Sequence, residues 1–153
     1  MEAFRGNHTA KVEEGGRLKL PGPFKKLLDD ANVTQFYITS IDGVKAQVWP
    51  LPAWEKQEEL LAELNAEDDS AEKYLNLTSY YGQQVEMDKQ ARVQLPQILR
   101  ASANLDAEVA VRGMLNHIVV ENLRNLEESL PTNQLTAENR KTLGPVLRPR
   151  SDK

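Results

Sequence analysis

At 153 residues, 40% of them hydrophobic and 27% charged, the chain can bury one core of ordinary globular size or two small ones that share an interface. It contains no cysteine, which excludes disulfides and thiolate metal sites. The net charge of −4 excludes a uniformly basic nucleic-acid binder, but the charge is lopsided. Residues 1–26 hold six basic groups against three acids (+3), residues 55–72 one lysine against eight acids (−7), and the tail from Glu138 five basic groups against two acids (+3). A ligand meets a local field, so this distribution matters more than the sum.

Met1 to Lys11 is polar and lacks the apolar centre of a secretory signal. No apolar run approaches the roughly 18 residues of a membrane span. A cytoplasmic protein is expected, and the sequons at Asn7 and Asn76 read as chance matches. The first strand begins around Thr9. Val12 to Pro21 then reads as strand, tight turn and strand, with Gly15-Gly16 supplying positive φ and Leu18 and Leu20 alternating with Arg17 and Lys19. Pro21 and Pro23 preset a short helix through Phe24, Leu27 and Leu28. Phe36 to Thr39 and Val44 to Trp49 are strands about an Asp42-Gly43 turn. A helix from Ala53 to Ala66 carries Trp54, Leu60, Leu61 and Leu64, read as core or interface, and Asp68-Asp69-Ser70 caps the next helix with Tyr74, Leu75 and Leu77.

The opening pattern then returns. Met87 to Pro96 repeats Val12 to Pro21 in register, Arg92 following Arg17 by 75 residues (92 − 17), with an apolar residue, an acid, three turn residues, Arg, apolar, polar, Leu and Pro. A helix follows Pro96 through Ile98, Leu99 and Ala103, then strands Glu108 to Arg112 and His117 to Val120, then a helix from Asn122 to Ser129. Beyond Pro131 the chain is polar and proline-punctuated, and disorder or loose attachment is expected. Each half thus reads strand, turn, strand, helix, strand, turn, strand, helix. Neither half has apolar residues enough for a core of its own, so the two must pack together.

This order, with acid-x-x-x-Arg in each turn, resembles the MraZ family of bacterial transcription regulators. Phe4-Arg5-Gly6 is similar to the family's opening signature, Glu13 to Pro21 and Asp88 to Pro96 to its two turns, and Leu99-Arg100, Leu105 and Val109 to Asn116 to its second unit. The likeness covers about residues 4 to 127. Departures are Glu13 for the usual Asp, a turn Glu14-Gly15-Gly16 without a basic residue, Ala91 for glycine, and no tryptophan closing the second unit after Glu121.

The resemblance implies an α+β fold of two tandem AbrB/SpoVT-type swapped-hairpin β-barrel units related by a pseudo-twofold. Residues 4–54 and 79–127 are then the two units, 55–78 a helical connector and 131–153 a flexible tail. It also implies a nucleoid-associated regulator binding double-stranded DNA at promoter repeats upstream of a cell-division and cell-wall gene cluster, its own promoter included, and a ring-like homo-oligomer that leaves the first-unit turns facing DNA. The alternative is a protein-interaction or scaffold module of the same fold without DNA binding. Neither an enzyme nor a cofactor is expected: no Gly-rich phosphate loop precedes a helix, and no Ser or Cys nucleophile has a visible base partner.

The candidate DNA contacts are Arg5, Asn7, His8, Lys11, Arg17 and Lys19. Arg17 has a guanidinium that suits a phosphate pair or a guanine edge, or else a salt bridge to Glu13. Arg5, Asn7 and His8 read as an arm reaching a groove, or as a frayed polar terminus. Around the second turn Asp88, Lys89 and Arg92 contact DNA or, with Glu13, form structural ion pairs, and an Asp88–Arg92 bridge is the leading reading. Lys25 and Lys26 read as a solvated helix face. His8 with His117, or Glu67-Asp68-Asp69, lacks the donor spacing of a metal site, and no metal is expected.

Overall fold

The computed structural model describes residues 2–64 and 68–148. The first half contains β1 (Asn7–Lys11), β2 (Arg17–Lys19), α1 (Gly22–Asp30), β3 (Gln35–Thr39), β4 (Lys45–Pro50) and α2 (Leu51–Ala62). After α3 (Ser70–Tyr80) the order repeats as β5 (Gln83–Glu86), β6 (Arg92–Gln94), α4 (Gln97–Ala103), β7 (Glu108–Gly113), β8 (Ile118–Asn122) and α5 (Leu123–Ser129), with α6 (Ala137–Leu147) last. Helices α1, α2 and α4 each start behind a proline, Pro21, Pro50 and Pro96, at φ −56°, −53° and −58°. The ring holds the chain at the helix entrance and ends the preceding strand.

The fold is α+β. Among the described residues the strands form a six-stranded antiparallel sheet in the order β1-β7-β8-β4-β3-β5 and a separate two-stranded ribbon, β2-β6. Exchanging each first-half strand with its counterpart (β1 with β5, β2 with β6, β3 with β7, β4 with β8) returns both orders unchanged. The duplication seen in the residues is therefore a symmetry of the strand pairing.

Sequence alone suggests that the two arms of each turn pair with one another. Instead they part. Between the first two arms a single bridge, Glu13 to Arg17, closes the turn, after which β1 runs beside β7 and β2 beside β6. The second turn behaves alike, β5 leaving for β3 and β6 for β2. A lone two-stranded hairpin is barely stable in water, and each half gains more by laying its apolar arms on the other half's strands and helices. Leu18, Leu20, Phe24, Ile38, Val93, Leu95, Leu99 and Val111 accordingly belong to one continuous core drawn from both halves.

The connector helices differ from the reading of their leucines. Trp54 is buried, stacked on Tyr37 at 4.7 Å, whereas Leu60 and Leu64 are exposed. α2 ends at Ala62, and its expected end at Ala66, like Glu67, lies outside the described residues. No helix among the described residues is long and apolar enough to cross a membrane. Beyond Pro131 the chain does not lack regular structure throughout: Ala137–Leu147 is helical, started by a capping box in which the Thr136 hydroxyl accepts from Asn139 N–H and the Asn139 side chain accepts from Thr136 N–H. No side chain of α6 is buried, so local capping and not packing defines it.

His117 packs face to face on Trp49, with ring centroids 4.1 Å apart and planes 8° apart. Burial lowers its pKa from 6.5 to about 4. The unfolded chain therefore binds the extra proton first, and stability should fall as pH drops from 6.5 towards about 4. Replacing His117 by Gln is expected to flatten that part of the profile, read as denaturation midpoint against pH. An unchanged slope would acquit His117.

Candidate nucleic-acid interface

The two turns are built by the same pair of bonds. Glu13 N–H donates to Arg17 O at 2.8 Å and Gly16 N–H to Glu13 O at 2.9 Å, while Asp88 N–H donates to Arg92 O at 3.0 Å and Ala91 N–H to Asp88 O at 3.1 Å. Both turns need a left-handed residue at their last position. Gly16 supplies it at φ +91° and Ala91, its counterpart, at φ +64°.

The arms that leave these turns meet in the ribbon. Arg17 lies opposite Gln94, Leu18 opposite Val93 and Lys19 opposite Arg92. Because side chains alternate, Leu18 and Val93 go down into the core together, and Arg17, Lys19, Arg92 and Gln94 share the outer face. Arg17 and Lys19 are exposed, and neither makes an ion pair among the described residues.

The acids behave differently from one another. Asp88 turns its carboxylate onto its own turn, accepting from Gln90 N–H at 2.8 Å and Arg92 N–H at 2.9 Å. These bonds, led by that from Arg92 N–H, hold its pKa below the usual aspartate value, aided by the charges of Arg92 and Arg17. The expected Asp88–Arg92 side-chain bridge is not the one formed. Arg92 pairs instead with Glu13 of the other turn, Nε to Oε1 at 3.2 Å, and the Glu13–Arg17 alternative is likewise replaced by this cross pair. An aspartate is short enough to cap its own turn, while the longer glutamate reaches across the ribbon. Lys89 is exposed at the tip of the second turn.

The remaining candidates lie on or beside an edge strand of the large sheet. Asn7, His8 and Lys11 form edge strand β1, opposite Arg112, Val111 and Glu108. His8 packs edge-on against Phe24 at 5.1 Å. Arg5 is exposed between the buried Phe4, bonded to Leu115 in both directions, and Gly6, whose carbonyl accepts from Gly113 N–H. The stretch is thus neither a free arm nor a frayed end, because the second half pins it. Lys25 and Lys26 pair with Asp29 and Asp30 one helical turn on.

Two residues at the site were not singled out from the sequence. Gln94 donates from Nε2 to Gly15 O at 2.7 Å, and Leu95 N–H donates to Gly16 O at 2.9 Å, so β6 braces the first turn. Arg100, on α4, lies over Gly16 and pairs with Asp106 at 3.3 Å. The 75-residue offset already marks Gln94 as the counterpart of Lys19 (94 − 19) and so as an outward-facing position. Nothing in the local sequence marks Arg100 as a partner of the first turn.

Fold and site together define a duplicated α+β protein that offers a cationic β-ribbon assembled jointly by its two halves. The family description "MraZ protein, putative antitoxin-like" matches residues 82–139. The chain is 46% identical over 140 residues to the transcriptional regulator MraZ of Acidobacterium capsulatum, covering 92% of this chain and 96% of that protein. It is 43% identical over 141 residues to the protein of the same name from Koribacter versatilis, with the same coverage, and 32% identical over 118 residues to that of Acidithiobacillus ferrooxidans, covering 74% and 78%. The chain belongs to the MraZ family.

The turn makes a testable demand. A Cβ on Gly15 would meet nothing within 4 Å, but one on Gly16 would come within 2.4 Å of the Arg100 guanidinium. Gly15→Ala should therefore lose about 1–2 kcal/mol for the left-handed backbone alone. Gly16→Ala should lose more, and the excess should vanish in an Arg100→Ala background. Urea midpoints of the four proteins test this, and an excess that survives removal of Arg100 would refute the contact.

Proposed function

We propose that this chain is a transcriptional regulator that binds double-stranded DNA through the outer face of the β2–β6 ribbon. The observation that carries the reading is Arg17: an exposed guanidinium without an ion-pair partner among the described residues, beside Lys19, on a ribbon whose other face is locked into the core. A two-stranded ribbon is narrow enough for the major groove, and Arg17 at its edge suits a phosphate pair or a guanine edge. The names of the relatives support regulation of transcription. In this reading the exchange of strands between halves is an AbrB-type swapped-hairpin arrangement. Residues 4–54 and 79–127 are its two units, 55–78 their connector and 131–153 a tail carrying α6. Asn7, His8, Lys11 and Arg5, on or beside an edge strand, are secondary contacts at most.

One ribbon with a few free cations binds weakly, since each phosphate contact adds only about 0.9 to the salt slope. Several ribbons on a ring-like homo-oligomer would engage spaced promoter repeats together, raising affinity by about two to four orders of magnitude. The repeats upstream of the chain's own gene and of a cell-division and cell-wall cluster are the proposed sites, in the nucleoid. The acidic connector would face away from DNA.

The charge of the ribbon and its turns favours a second reading. Arg17, Lys19, Lys89 and Arg92 stand against Glu13, Glu14 and Asp88, four to three. So nearly balanced a surface would also suit a protein-interaction module. A gel-shift series with the chain's own upstream DNA separates the two. A DNA binder should weaken by about ten-fold for every two phosphate contacts when salt is raised from about 50 to 200 mM. Arg17→Ala should abolish the shift and leave the oligomer intact. No shift at low salt, or an unaffected Arg17→Ala, would favour the interaction module.

A further inference from the structure

Resting on the reading of the ribbon as a DNA interface, we propose that Glu13 is an internal competitor for Arg92, so that only one of the two equivalent arginines, Arg17, is offered to DNA. The duplication places Arg17 and Arg92 at matching ends of matching strands, each on the outer face and each following its turn. What differs is the acid each one faces. Asp88 spends its carboxylate on two backbone N–H groups of its own turn, at 2.8 and 2.9 Å, and leaves Arg17 without an ion pair among the described residues. Glu13 makes no such cap. Its extra methylene carries the carboxylate across the ribbon to Arg92 Nε, 3.2 Å away.

The pair is held by charge and not by an aligned hydrogen bond, for Arg92 Nε is shut off from solvent and has no hydrogen-bond partner. The Arg92 side chain is 28% exposed and that of Glu13 42%. Any phosphate approaching Arg92 therefore meets a carboxylate already in place beside Nε. A single methylene thus makes a twofold ribbon one-handed in its pairing, with an ion-paired guanidinium at one end and, among the described residues, an unpaired one at the other. The ribbon would contact phosphates chiefly through Arg17 and Lys19.

The experiment measures dissociation constants of the full chain on a duplex carrying its own upstream sequence and on an unrelated duplex, across a salt series. The proteins are wild type, Glu13→Gln, Glu13→Asp, Arg92→Ala, and each Glu13 variant combined with Arg92→Ala, all checked for unchanged thermal midpoint and oligomer size. Glu13→Gln should tighten binding several-fold and steepen the salt slope by about 0.9, one added phosphate contact. Glu13→Asp keeps the charge but is short enough to cap its own turn, and it should tighten binding in the same direction. Arg92→Ala alone should change binding less than two-fold and should erase the gain of both Glu13 variants. Equal tightening by Glu13→Gln with and without Arg92, and none by Glu13→Asp, would mean that Glu13 merely repels DNA, and would overturn the competition while leaving the DNA reading standing. Wild-type protein that shows no salt-dependent binding would instead overturn that reading, and the competition with it.

Discussion

The ribbon pairing of Leu18 with Val93 is the contact on which the rest of the molecule depends. Both side chains are buried, at 0% and 1% exposure, and they sit at the centre of the strand pair in which each turn's trailing arm meets its counterpart. Burying two such side chains is worth about 1.5–3 kcal/mol each, more than any exposed ion pair on the ribbon can supply. Because β1 and β5 are simultaneously committed to opposite edges of the large sheet, the halves are interlocked and not merely adjacent. Neither half closes a core without the other. The outward positions Arg17, Lys19, Arg92 and Gln94 have a fixed geometry because the inward positions between them cannot move.

On this symmetric frame small chemical differences acquire direction. Glycine at 16 and alanine at 91 fill the same left-handed position, and Gly16 lies beneath the Arg100 guanidinium. Glutamate at 13 and aspartate at 88 occupy the same turn position, yet one bridges to the far strand and the other caps its own. Elsewhere some cations are paired with acids one helical turn away, as in the i,i+4 pairs of α1 and the Lys73–Asp69 pair of α3. Buried Glu121 is held by Arg112 at 2.8 Å, so the carboxylate inside the large sheet has a cation beside it.

Much of the architecture was legible in local signals. The proline-led helices, the Asp42-Gly43 turn and the order of elements all follow from short-range chemistry, and the family likeness followed from the repeated acid-x-x-x-Arg turns. The site was legible in part. Alternation puts Arg17 and Lys19 on one face whichever strand lies beside them, so their exposure could be foreseen. Arm or frayed end were the wrong alternatives for residues 5–8, because the pinning partners, Leu115 and Gly113, lie a hundred residues away. The tail's prolines and polarity point to disorder, yet the capping box at Thr136 and Asn139 starts α6 by local bonds alone.

By itself the amino-acid order determined the succession of elements through α5, the duplication and the division of each strand into an apolar and a polar side, since these depend on φ preferences and on the period of side chains along a strand. Only the tertiary structure decided which strand each arm joins and hence which acid faces which arginine. Those choices are made by burial across the two halves, and a carboxylate's partner is set by distance in space, to which spacing along the chain is blind.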